Sequence, residues 1–150
     1  MLQTNTPKCF KSSNWEGELK SFVEDSKLSD LITWLVSVLI PSASSESLIL
    51  LINIKKYLET PSSTLRWDIY KSSENIGFTT PTGLLGLALF LMDGSMSPEE
   101  YEPVYPPEGV VEQIIHCILV LLAVSTSECE CPSKEAEVLF NDWCNYKRSK

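Results

Sequence analysis

Residues 110–124 read VVEQIIHCILVLLAV, the most apolar run in the chain. Val111, Ile114, Ile115, Ile118, Leu119 and Leu122 recur at helical spacing and so share one face. Val110, Cys117 and Leu121 widen that face. A helix that is apolar nearly all round belongs at the centre of a fold. The expectation is therefore a central helix over 109–126, with Cys117 as a small core residue. Ile114–Val124 falls short of the roughly 20 apolar residues that cross a bilayer. The other long apolar runs, Leu31–Ile40 and Leu84–Met92, fall short too, so buried helices are expected and membrane insertion is not.

Upstream, Pro41, Pro61 and Pro81 stand 20 residues apart, each just before an apolar periodic run. Proline suits the first turn of a helix, where its missing N–H costs nothing. The spacing predicts helices over Trp15–Ser26 with Asn14 as cap, over Asp30–Ile40 with Ser29 as cap, over Ser44–Glu59 and over Ser63–Glu74. The third carries Leu48, Leu51, Ile52, Lys55, Tyr57 and Leu58, and Leu65, Trp67, Ile69 and Tyr70 are the bulky members of the fourth. Gly77 ends the fourth. Thr80-Pro81 opens a fifth, Thr82–Met92, which stops at Asp93-Gly94. Gly83, Gly86 and Ala88 in it let a neighbour approach closely. GLLGLAL lacks the Gly-Lys-Ser/Thr of a phosphate loop, so tight packing is its ordinary meaning. Downstream, Pro132–Lys147 reads as a seventh helix, with basic residues late, where the helix dipole favours them. No alternating strand pattern competes. The fold class is all-α, a single helical domain of six or seven helices over residues 1–150, with 1–13 expected to be flexible.

Between the fifth and sixth helices lies GSMSPEEYEPVYPPEG, residues 94–109. Ser97-Pro98-Glu99-Glu100 has capping-box spacing and predicts one short helical turn, ended by Pro103. Pro103, Pro106 and Pro107 then favour extended backbone. Long irregular loops in a compact domain tend to be functional or disordered. Tyr101, Val104 and Tyr105 are expected to pack this one down on the body.

The chain has 150 residues, 12 Lys+Arg and 20 Asp+Glu, for a net charge of -8. A chain this long buries enough surface to fold without metal or disulfide. Nucleic acid and anionic membrane surfaces call for a basic footprint, and this chain has none. Residues 1–75 carry 8 basic and 9 acidic side chains, and residues 76–150 carry 4 and 11. Between Asp93 and Glu112 there are six acids and no base. Such a pole steers basic partners. Tyr101 and Tyr105 within it resemble the aromatic residues that enrich interface cores.

Motifs for chemistry are sparse. Cys9, Cys117, Cys129, Cys131 and Cys144 are odd in number, and MLQTNTPKCF has no signal-peptide core, which fits a reducing cytoplasm. Cys129 and Cys131 form C-x-C, the wrong spacing for a zinc knuckle, so no metal and no cofactor are expected. The acidic run Glu128-Cys129-Glu130 reads as a solvated face. His116 is the only histidine; Glu112 precedes it by one turn, and a surface pairing is the ordinary reading. Nucleophile-elbow, zincin, Walker and EF-hand patterns are absent.

TGLLGLALFLMDGSMSPEEYEPVYPPEGVVEQIIHCILVLLA resembles an uncharacterised bacterial family of small helical proteins, a domain of unknown function. The likeness rests on a Gly/Ala-rich helix (Gly83 to Gly94), a Ser/Pro loop (Ser95 to Pro98), a Pro-rich element (Pro103 to Pro107) and a long apolar helix (Val110 to Val124). The resemblance implies an accessory, non-enzymatic bacterial protein, linked to type VI secretion genes, with no catalytic residues to carry over.

The function these features favour is a cytoplasmic adaptor or chaperone-like protein. It would bind a basic protein partner through Glu99, Glu100, Tyr101, Glu102, Val104, Tyr105 and Glu108. An immunity protein or antitoxin covering a basic toxin is the alternative. A small helical hydrolase using His116 is a further one, and self-association stays open.

Overall fold

A computed structural model describes residues 14–125 and 132–148. The segment 1–13 and the Glu128-Cys129-Glu130-Cys131 stretch lie outside the described residues. Among the described residues, seven α-helices follow in order: α1 (Trp15–Glu24), α2 (Leu28–Leu39), α3 (Ser45–Glu59), α4 (Ser63–Ile76), α5 (Pro81–Met92), α6 (Val110–Ser125) and α7 (Pro132–Arg148). A short 3-10 turn, Ile40–Ser42, holds Pro41 between α2 and α3. No strand occurs among the described residues.

The local chemistry explains where the helices begin. Ser44 Oγ accepts from the Ser47 N–H, Ser62 Oγ from Leu65 and Thr80 Oγ1 from Gly83, so α3, α4 and α5 each start on a hydroxyl cap. Pro81 stands in the first turn of α5, as its fixed φ favours. Gly77 closes α4 at φ +107°, a conformation that penalises a Cβ. Asn14 does stand at the start of α1, but its side chain makes no capping bond. Ser29 does not cap α2. That helix begins at Leu28, because Leu31 N–H already bonds back to Lys27 O at 3.0 Å.

One hydrophobic core runs through the molecule. α5 packs against α4, α6, α3 and α2, and eight of its twelve residues are buried. Its glycines are sites of contact. A Cβ on Gly86 would stand 1.8 Å from Ser73 Oγ on α4, and one on Gly83 would stand 1.9 Å from Gly77 O. α6 sits among α5, α1 and α7 and buries Val111, Ile115, Ile118, Leu119 and Ala123. Cys117 is exposed, not a core residue. It lies two positions on from Ile115, about 200° round the helix, which turns it away from that face. On α3 the buried side is Leu50, Leu51, Ile54 and Tyr57, while Leu48, Ile49 and Ile52 face outward.

At the other end, Phe22 of α1, Trp34 of α2, and Phe140 and Trp143 of α7 form an aromatic cluster. Ring centroids lie 5.4–6.0 Å apart, within the range of favourable tilted and stacked pairs. Trp34 Nε1–H donates to Asp142 Oδ2 at 2.8 Å, which satisfies the indole of a buried tryptophan.

Candidate functional site

The segment between α5 and α6 is built on a buried arginine. Arg66 of α4 is only 7% exposed. Its Nε and Nη2 donate to Phe90 O at 3.0 and 2.6 Å. Phe90 lies in the last turn of α5, where carbonyls lack helical partners, so the guanidinium caps that helix. Nη2 also donates to Ser95 O at 2.9 Å, which ties the start of the loop to the same group. The guanidinium carbon lies 4.0 Å from the centroid of the Phe90 ring. Gly94 runs close to the same group: a Cβ there would stand 3.0 Å from Arg66 Cζ. Burial pushes the Arg66 pKa below its ordinary value, and Tyr57 and Asp93 push it back up. The buried Tyr57 hydroxyl donates to Asp93 Oδ2, and burial together with that bond raises the phenol to about 12.

From this anchor the loop closes on itself. Ser95 Oγ accepts from the N–H groups of Ser97 (3.0 Å) and Val104 (2.9 Å). Met96 N–H donates to Val104 O at 2.6 Å. Residues 95 and 96 therefore pair with residue 104, and 97–103 form a knob between them. Inside it, Ser97 Oγ donates to Glu102 O at 2.6 Å, and Tyr101 N–H reaches Pro98 O at 3.0 Å.

Two expectations change here. The expected helical turn at Ser97–Glu100 is a non-helical turn. The Ser97 hydroxyl is spent across the knob on Glu102 O, and Pro103 stops any helix from growing. Tyr101, Val104 and Tyr105 do not pack on the body. Tyr101 is 67% exposed, Tyr105 66% and Val104 49%. The neck is closed by Ser95 and by backbone bonds, so no aromatic anchor is needed.

The seven residues singled out from the sequence are all exposed. The knob brings Glu99, Glu100, Tyr101 and Glu102 together at its tip. Val104 stands at the neck, and Tyr105 and Glu108 lie on the return stretch toward α6. Asp93, counted with the acidic pole, is instead the partner of Tyr57. Sequence reasoning missed Arg66, Ser95 and Trp67. The signal for Arg66 was a base one helical turn before Ile69 and Tyr70, on the face they share.

Two depressions flank the knob. One, of about 280 Å³, is lined by Ser63, Thr64, Trp67, Pro98, Glu99 and Glu100. The other, of about 370 Å³, lies between α4 and α5 and is lined by Trp67, Tyr70, Leu87, Phe90, Leu91, Met96 and Pro98. They share Trp67 and Pro98.

A third depression, of about 280 Å³, holds His116 with Lys20, Val23, Glu24, Gly109, Glu112 and Gln113. His116 Nε2 lies 2.9 Å from Glu16 O. A carbonyl oxygen can only accept, so Nε2–H donates to the main chain of α1. Glu112 and Glu24 share the depression, and among the described residues no hydroxyl or thiol lines it. The contact makes His116 a tie between α6 and α1. Among the described residues, no group of three His, Cys, Asp or Glu is placed to hold a metal, and no helix is long and apolar enough to cross a membrane.

No curated protein and no solved structure matches the chain. A family model does, over residues 29–140, a span that holds Arg66, the knob, both depressions beside it and the whole of α6. Nothing in that match links the chain to type VI secretion. The chain belongs to the family of unknown function DUF6931.

Proposed function

We propose that the chain is a protein-binding adaptor that takes a basic protein partner on the knob 97–103 and its flanks. The observation that carries this reading is the contrast between the loop's backbone and its side chains. Arg66, Ser95 and Val104 fix the backbone, while Tyr101 and Tyr105 point into solvent among acids. Tyrosine is enriched at the cores of protein interfaces, and a fixed backbone lowers the entropy lost on binding. Carboxylates around aromatic anchors favour a lysine- or arginine-rich partner and speed its encounter. The adaptor works in the cytoplasm on this reading, where reduced cysteines are at home.

The test is affinity capture from a native extract with the wild-type chain and with Glu99→Lys/Glu100→Lys/Glu102→Lys. All three positions are exposed, so the variant folds. A basic protein retained by the wild type and lost by the variant supports the reading. Equal retention by both sinks it. A captured toxin would make the chain its immunity protein, and a component of a larger assembly would make it an adaptor.

A further inference from the structure

The two depressions beside the knob differ in chemistry and meet at one wall. The groove between α4 and α5 is apolar, with Trp67, Tyr70, Leu87, Leu91 and Met96 around it. Its neighbour, across Trp67 and Pro98, is polar and edged by Glu99 and Glu100. Among the described residues, no lysine or arginine is in the walls of either. The groove is firm. Trp67 lies edge-on to Phe90 at 4.8 Å and Tyr70 lies 4.6 Å from the same ring, so three aromatics brace one another. Phe90 is in turn stacked on the capping guanidinium of Arg66.

We propose that this pair of depressions binds one short segment of the partner protein, in which an aromatic or branched apolar side chain is flanked by lysine or arginine. The apolar side chain fills the groove between α4 and α5. The flanking cation lies over Trp67 and Pro98 and meets Glu99 and Glu100. An apolar anchor in a pocket, ringed by charge pairs, is the arrangement that concentrates binding energy in a few residues. The acids choose the partner, since a segment flanked by carboxylates would be repelled. The proposal rests on the adaptor reading and adds to it the chemistry of what is bound.

The experiment selects displayed random peptides on the full chain and measures the consensus peptide by fluorescence anisotropy. The expected consensus pairs Trp, Phe, Leu or Ile with Lys or Arg and binds more weakly as salt rises. Met96→Lys puts a cation in the groove, at a side chain already 37% exposed, and is expected to weaken the peptide by about tenfold. Thr64→Arg, at an exposed position in the polar depression, is expected to do the same without touching the core. A consensus without that pairing overturns the proposal, and so does a peptide indifferent to both variants. A peptide that ignores both variants but is lost from Tyr101→Ala/Tyr105→Ala overturns the groove and leaves the adaptor reading standing. Concentration-dependent dimerisation abolished by Met96→Lys also overturns it, by showing that a second copy fills the groove.

Discussion

Arg66 Nη2 donates to Ser95 O at 2.9 Å, so a side chain of α4 sets the start of a loop 29 positions away. The same guanidinium finishes α5 through Phe90 O. One buried cation thus joins core stability to the shape of the exposed knob. Arg66→Met is expected to cost about 3 kcal/mol, because it strands buried carbonyls that had a charged donor. Arg66→Lys should recover little, since a lone ammonium lacks the planar fork that reaches both acceptors. Chemical unfolding gives the cost, and amide exchange at Ser97 and Val104 should quicken in both variants. Unchanged exchange there would separate the loop from the arginine.

Gly86→Ala is expected to destabilise the chain by about 1–3 kcal/mol, the usual cost of overpacking a tight contact. The new methyl meets Ser73 Oγ at 1.8 Å. Ser73→Ala should return part of that loss in the double variant, because it removes the nearest atom. A double-mutant cycle reads the coupling, and strictly additive costs would contradict the close approach of α4 and α5.

Tyr57 makes stability depend on alkaline pH. Burial and the bond to Asp93 raise its folded pKa to about 12, from about 10 in the unfolded chain. The folded state therefore keeps this proton more tightly. The stabilisation is complete below about pH 10 and is lost as pH rises through about 12. Unfolding by urea on either side of pH 10 should show the wild type losing stability that Tyr57→Phe does not lose. Parallel curves for the two proteins would refute the assignment.

Trp143→Ala is expected to cost about 3–5 kcal/mol, the range for removing a large buried aromatic. It stacks on Phe22 at 5.9 Å and meets Trp34 at 5.4 Å, so its loss frees α7 from α1 and α2. Asp142→Ala, which removes only the acceptor of Trp34 Nε1, should cost about 1 kcal/mol. Limited proteolysis should cut within α7 of Trp143→Ala first. Cleavage spread evenly over the chain would mean that the cluster does not act locally.

Helical periodicity, caps and glycines made most of the fold legible. Thr80-Pro81, Gly77 and Asp93-Gly94 mark boundaries by backbone chemistry, which is local. The tight contact at Gly86 was readable for the same reason. Cys117 was misplaced because an all-apolar helix hides which side turns outward, and only the packing of α1, α5 and α7 decides that. The loop was misread for a related cause. Ser97 has a capping-box partner in sequence, but the hydroxyl finds Glu102 O across the knob instead. The loop's own sequence offers only Tyr101, Val104 and Tyr105 as anchors, because the true anchor, Arg66, lies on another helix. The acidic composition of the surface was visible residue by residue; the groove beside it was not, because α4, α5 and the loop supply its walls from three separate segments.

The most direct test is quantitative affinity capture with the wild-type chain and with Tyr101→Ala/Tyr105→Ala, read by mass spectrometry. Both tyrosines are exposed, so their removal leaves the core and the Arg66 anchor intact. One basic partner is expected, held by the wild type and lost from the variant. The same partner held equally by both would contradict a binding surface centred on this knob.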